Sequence, residues 1–409
     1  MSDKDRSYFR APIARRMFMV ATTAMVSFGM LSPTASAEPA AYAYPVRPGT
    51  AGWAALTTHQ DMRRVTQLPA DVVKRMPTNA LVSTVLDYPL FLDALAYNDV
   101  QVGFEKVATG FNGLQELLRR PDSGSALLRR YQAFDAAIPA GSSELAAGNR
   151  TYDVWKLEML LAQPQILRTL PGDKADTLLK AGLAKDRVKR SHANVYGKAG
   201  LEPTAVMMGR ALAEREGWDW RSSTLLRTAS PEGEVEADQV AELVRRHFAE
   251  PGVAHPISTL GTLDHGGTVY TPKGTAVAVT VTTYELSAAQ INSLNQYVAS
   301  NYPNATRETN ASRRYNCHSY AWYSASTSNT YWMDTPNDDK YWNDGSYKLW
   351  HPPYVWFANM KASWKSDDHS GINDGTSSYI RSKWGQLPRM RHYYNYTPYD
   401  DTSISYYFR

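Results

Sequence analysis

The chain has 409 residues, 43% of them hydrophobic, with 44 basic and 40 acidic side chains and a formal net charge of +4. So mild a charge, with no basic stripe interleaved with aromatics, gives no electrostatic footing for nucleic acid. No heptad array and no repeat holds its period, which sets aside coiled coils and solenoids.

Residues 1–37 read as a secretory signal. Arg10, Arg15 and Arg16 precede an apolar run from Met17 to Leu31, and Ala35-Ser36-Ala37 supplies the small residues of a cleavage site. The run is short and broken by Thr, Ser and Gly, so no integral membrane anchor is expected after cleavage. Arg15-Arg16 before Met17-Phe18-Met19 also fits a twin-arginine signal. A Sec or a twin-arginine signal alike makes the mature chain secreted or periplasmic. Roughly 370 residues would remain, enough for two or three domains.

Residues 38–56 carry Pro39, Pro45, Pro48 and Gly49 and read as an extended linker. Helical periodicity fills 57–250. Leu81, Val82, Val85 and Leu86 share one face of a helix over Thr78–Leu86, and further helices are predicted over 91–97, 103–119, 123–134, 154–161, 175–183 and 235–248. His59, His192 and His247 stand apart without ligand spacing, so no metal and no cofactor is expected.

The pattern changes at Pro256. Gly267–Tyr270 and Ala276–Tyr284 are β-branched runs around Pro272-Lys273-Gly274, a hairpin signature. Ser287 with Gln290 forms a capping box ahead of a helix with Ile291, Leu294 and Val298 on its buried stripe. Strand-like runs follow at 354–357 and 379–384. Seven of the 11 Trp fall between Trp322 and Trp384, a density that suits packed strands and also a glycan- or wall-facing surface. The fold class expected is α+β, a helical domain over 57–250 followed by an α+β domain with an antiparallel sheet over 256–409.

Cys317 is the only cysteine. An exported chain with one Cys has no internal disulfide to make, so the thiol calls for another role. Asn316 is a favoured N-cap, which puts Cys317 at the first turn of a helix through Tyr323. There unpaired amides and the helix dipole favour a thiolate and an oxyanion. His318 is adjacent, but consecutive helical residues project about 100° apart, so it should not face the thiol and reads as a neighbour of the oxyanion and cap region. His369, at the start of a strand after Asp367-Asp368, is the preferred base. Cys317 as a buried small hydrophobe and His369 as a turn residue are the structural alternatives.

The order of Asn316-Cys317-His318-Ser319-Tyr320-Ala321-Trp322, a gap of some fifty residues, His369-Ser370-Gly371 and then Arg381-Ser382-Lys383-Trp384-Gly385 resembles the bacterial papain-like cell-wall cysteine peptidases and amidases of the NlpC and CHAP type. The likeness covers about 305–400. It implies a papain-like domain with Cys317 as nucleophile, His369 as base and a polar orienter on the next strand. Alternation offers Ser382 for that third place, with Asn373 as competitor. The implied activity is amide hydrolysis, with peptidoglycan peptides as the implied substrate, through a Cys-His pair. The alternatives are a catalytically silent wall- or glycan-binding protein with an aromatic-rich C-terminal surface, and an acyltransferase using the same Cys.

Overall fold

Leu81, Val82 and Val85 are buried in a helix that spans Thr78–Leu86, as the spacing requires. The computed structural model describes residues 40–229, 236–250, 265–351, 358–364, 368–376, 378–399 and 403–409. The expected signal at 1–37, the change of pattern at Pro256 and the run 354–357 lie outside the described residues.

The chain is α+β, helices first and antiparallel sheets after. Where one helix is expected over 103–119 there are two, Val100–Gly110 and Asn112–Arg119. Phe111 between them is extended and its ring stacks on Tyr88 at 4.0 Å. The Asn112 side chain is bonded to both backbone groups of Leu68, so tertiary partners outweigh helix continuity. Other helices run longer than their apolar cores predict, at Glu144–Leu161 and Asp173–Ser191. Residues 40–56 are not a free linker: Tyr44 and Trp53 are buried, the Tyr44 hydroxyl donates to the Thr84 carbonyl, and Trp53 Nε1 donates to the Asn301 carbonyl.

The strands are β1 (Gly266–Tyr270), β2 (Ala276–Val281), β3 (Thr306–Arg307), β4 (Tyr331–Trp332), β5 (Lys348–Leu349), β6 (Ala358–Trp364), β7 (His369–Asp374), β8 (Tyr379–Lys383), β9 (Arg389–Tyr393) and β10 (Ile404–Phe408). β1 and β2 form the expected hairpin, with Gly274 at φ +86° in its turn. The smaller sheet has the order β1-β2-β4 and the larger β3-β9-β8-β7-β6-β10-β5, with every pairing antiparallel.

Ser287 and Gln290 close the capping box of the helix Ala288–Asn301. That helix lies against Glu144–Leu161, close enough that a Cβ on Gly148 would stand 1.9 Å from the Ala289 carbonyl oxygen. The segments 57–250 and 256–409 accordingly share one hydrophobic core, in which Phe91, Leu95 and Leu160 from the helices join Tyr302, Ile380, Trp384 and Met390. At the turn after β8, Gly385 has φ +49° and a Cβ there would meet the Leu95 carbonyl oxygen at 2.4 Å. The helical segment is packed directly onto one face of the larger sheet.

β7, β8 and β9 have two distinct faces, because successive strand residues alternate. Gly371, Ile380, Ser382, Met390 and His392 lie on the face toward the helical segment. Ser370, Ile372, Arg381 and Lys383 lie on the other, where a second core holds Ile372 with Tyr320, Ala321 and Trp322.

Candidate active site

Asn316 caps the short helix that carries Cys317. Its Oδ1 accepts from the Ser319 amide at 3.1 Å and the Met333 amide at 3.2 Å, while its Nδ2 donates to the Met333 carbonyl at 2.8 Å. The helix opens at Cys317 and widens into a π-turn over Ser319–Tyr323. Trp322 anchors it on the sheet, with its Nε1 donating to Ser370 Oγ at 2.9 Å and its ring 4.9 Å from Trp342.

Cys317 is fully buried, and its Sγ donates to Asn98 Oδ1 at 3.7 Å. The same oxygen accepts from Asn316 Nδ2 at 3.1 Å, and Asn98 Nδ2 donates to Asp368 Oδ2 at 3.2 Å. Asn98 follows the 3-10 turn Phe91–Ala96, so the helical segment supplies the group that occupies the thiol.

His318 is held at both ring nitrogens. Nε2 stands 2.8 Å from Asp368 Oδ1, and Nδ1 stands 3.0 Å from Asp338 Oδ2 and 2.8 Å from Ser370 Oγ. Burial opposes a charge on this ring, but Asp338, Cys317 and Asp368 overcome it and hold the imidazole well above its ordinary pKa. Asp368 answers in kind. Burial would raise its pKa, yet His318, Thr335 and Asn98 pull it down to about 2. The cluster is an imidazolium between two carboxylates, and neither ring nitrogen is free to take a proton from the thiol. Lys383, on the same face of the sheet, donates from Nζ to the carbonyls of Ser312, Gly385 and Leu387, and burial brings its pKa down to about 7.

His369 is elsewhere. Its neighbour Ser370 faces the Cys317 helix, so alternation sends His369 to the opposite face of β7. There its ring stacks on Tyr399 at 3.6 Å and lies 4.6 Å from Trp364. Both ring nitrogens are buried without a hydrogen-bond partner. Burial, with His392 and His318 nearby, keeps the ring neutral, its pKa well below the ordinary value.

Ser382 shares that face but serves another histidine, with Oγ 2.8 Å from His392 Nε2 and accepting from Trp384 Nε1 at 2.9 Å. Asn373 belongs to a turn, donating to the Thr376 carbonyl at 2.5 Å and accepting from the Gly375 amide at 2.7 Å. The expected series Cys317, His369 and Ser382 is thus not assembled in this conformation. Around Cys317 the structure gathers Asn98, Asn316, His318, Asp338, Asp368 and Ser370 instead. Asp368 stood next to His369 in a motif already noted. Nothing in the sequence pointed to Asn98, 219 positions from the thiol.

Among the described residues, no group of three or more His, Cys, Asp and Glu is arranged to hold a metal ion, and no helix is long and apolar enough to cross a membrane. No protein family, curated protein or solved structure matches the chain.

Proposed function

We propose that this chain is a secreted or periplasmic cysteine hydrolase of amide bonds, with peptidoglycan peptides as its substrate class, held shut in the present conformation. The observation that carries this reading is the orphaned imidazole of His369. A buried polar atom left unpaired costs about 1–3 kcal/mol, and His369 leaves two unpaired. A phenylalanine would stack on Tyr399 as well without that cost. A neutral imidazole with an unspent lone pair is able to accept a proton once it reaches the thiol.

Two movements separate this state from a working pair: Asn98 must release the thiol, and the first residue of β7 must turn His369 toward Cys317. The thiolate would then attack the amide carbon, forming a C–S bond while His369 holds the proton. The proton passes to the departing amine as the C–N bond breaks. Water, deprotonated by the same ring, cleaves the thioester to a carboxylic acid and restores the thiol. The helix start at Cys317 offers amides for the oxyanion.

A second reading is favoured by the placement of Cys317 and His369 on opposite faces of β7: a catalytically silent wall- or glycan-binding protein. Exposed tyrosines such as Tyr323 and Tyr393 supply its aromatic contacts. Turnover of muropeptides by the parent chain and by Cys317→Ala separates the two. The hydrolase reading expects turnover that disappears with the thiol. Turnover unchanged in Cys317→Ala sinks it, and a parent that binds wall polysaccharide without cleaving it supports the silent reading.

A further inference from the structure

The helical segment contains a cleft of about 710 Å3, away from the thiol. Such a volume is within the range of small-ligand sites, about 300–1,000 Å3. One face of the helix Val100–Gly110 lines it through Gln101, Phe104 and Ala108, positions spaced as successive turns of a single stripe. Leu118, Pro164 and Trp220 extend the apolar wall, and Arg119 and Arg221 stand on the rim.

The charge behind the wall is unusual. Arg210 is fully buried, and its hydrogen bonds end on neutral oxygens: the carbonyls of Leu226, Ala162 and Arg227, and Oε1 of Gln101. A buried charge is ordinarily matched by an opposite one. Burial lowers its pKa only to about 10, because Asp99 and Glu105 nearby favour the charge without bonding to it, so the guanidinium stays charged. The guanidiniums of Arg210 and Arg221 lie over the Trp220 ring at 4.5 and 4.9 Å. The charged side chains in the lining are Arg119, Arg221 and Glu105, whose carboxylate accepts from Gln101 Nε2 at 3.0 Å. Asp219 and Glu116 touch the rim arginines only at 3.5 and 4.0 Å, with Arg119 and Arg221 about 70% exposed. Two exposed guanidiniums thus stand against one carboxylate in the lining.

Gln101, Gln115, Gln163 and Gln165 add side-chain amides around the same space. Gln101 and Gln163 are spent on each other, Glu105, Arg210 and the Met159 carbonyl, and Gln115 Nε2 donates to the Thr109 carbonyl, so Gln165 and the oxygen of Gln115 are the amide groups left for a ligand. We propose that this cleft binds a short peptide carrying a free carboxylate, its apolar side chains against Ala108, Leu118 and Pro164 and its carboxylate toward Arg119 and Arg221. The assignment does not depend on Cys317.

The test is calorimetric titration of the full chain with acetyl-Ala-Leu-Leu-Ala as free acid and as C-terminal amide. Saturable binding of the acid is expected, weakened at least tenfold by amidation and by Arg119→Gln with Arg221→Gln, and equal in the parent and Cys317→Ala. Absence of saturable binding overturns the proposal, as does equal affinity for acid and amide or indifference to the two arginines. Concentration-dependent self-association blocked by Ala108→Trp would also overturn it, since a second copy would then be the occupant.

Discussion

Asn98 Oδ1 accepts from Cys317 Sγ across 219 positions of sequence, and the same amide reaches Asp368. One side chain from the helical segment thereby joins the thiol, the cap of its helix and the start of β7. The contact is a seal as well as a tie, because it contributes to the complete burial of Cys317.

Replacing Asn98 with Ala should loosen that seal. Two buried partners, Cys317 and Asn316, and the part-exposed Asp368 each lose a bond, so unfolding in denaturant should show a loss of about 1–3 kcal/mol. Alkylation of Cys317 by iodoacetamide under native conditions should speed up by about tenfold or more, as a hydrogen-bonded and covered thiol becomes reachable. A labelling rate equal to the parent's would show that Asn98 does not control access.

His318→Gln removes the cation that Asp338 and Asp368 share. Breaking a buried pair costs about 3–5 kcal/mol when a charge is left uncompensated; Asp338 is buried, while Asp368 keeps 40% of its side chain in solvent, so the lower end is expected. The pH dependence follows from the raised pKa of His318. Its contribution is complete below the unfolded value of about 6.5 and is lost as pH rises through the higher folded value. The stability gap between parent and variant should therefore be widest below pH ~6.5 and shrink on the alkaline side. A gap that grows with pH would contradict the ion-pair assignment.

Much of the fold is legible because it rests on local rules. The helix over Thr78–Leu86, the hairpin around Gly274, the box of Ser287 and Gln290 and the cap at Asn316 each follow from residues within one or two turns. The site is less legible, because its outcome is set by register. His369 and Ser370 are equally plausible inward residues in the sequence, and only the pairing of Ile372 with Arg381 and Ser382 with Met390 decides which faces the helix. A one-residue difference in that alternation exchanges base for hydrogen-bond partner. His318 illustrates the reverse: its ring is held by Asp338 and Asp368, which loops bring to it, and no rule local to the helix names those partners.

His369→Phe should separate stability from chemistry. The ring keeps its stacking on Tyr399 while two unpaired buried nitrogens disappear, so a gain of about 1 kcal/mol or more is expected. The depressed pKa of His369 means the unfolded chain takes up a proton below pH ~6.5 that the folded chain refuses. The parent should thus lose up to about 1.4 kcal/mol more than the variant per pH unit on acidification from there. Denaturant unfolding between pH 4 and 7 measures this. If amide hydrolysis is found, the same substitution should abolish it; a stabilised variant with full turnover would remove His369 from the mechanism.

Gly148→Ala tests how firmly helix 144–161 and helix 288–301 are held together. Intrinsic propensity favours Ala over Gly by about 1 kcal/mol in a helix interior, so on local grounds the change should stabilise. The new Cβ, however, would stand 1.9 Å from the Ala289 carbonyl oxygen and 2.6 Å from its carbon. Backbone cannot swing aside as a side chain does, and separating the helices would strain the bond from Ser293 Oγ to Asn149 Oδ1, 2.8 Å long. Overpacking of this kind costs about 1–3 kcal/mol or more, which outweighs the propensity gain. Gly52→Ala is the control, since its Cβ would meet only Val46 at 3.5 Å and should leave stability within about 0.5 kcal/mol of the parent or slightly raise it. Thermal unfolding of both variants decides the matter: equal midpoints would mean that the two helices can part without loss, and that the helical and sheet segments do not share a rigid core.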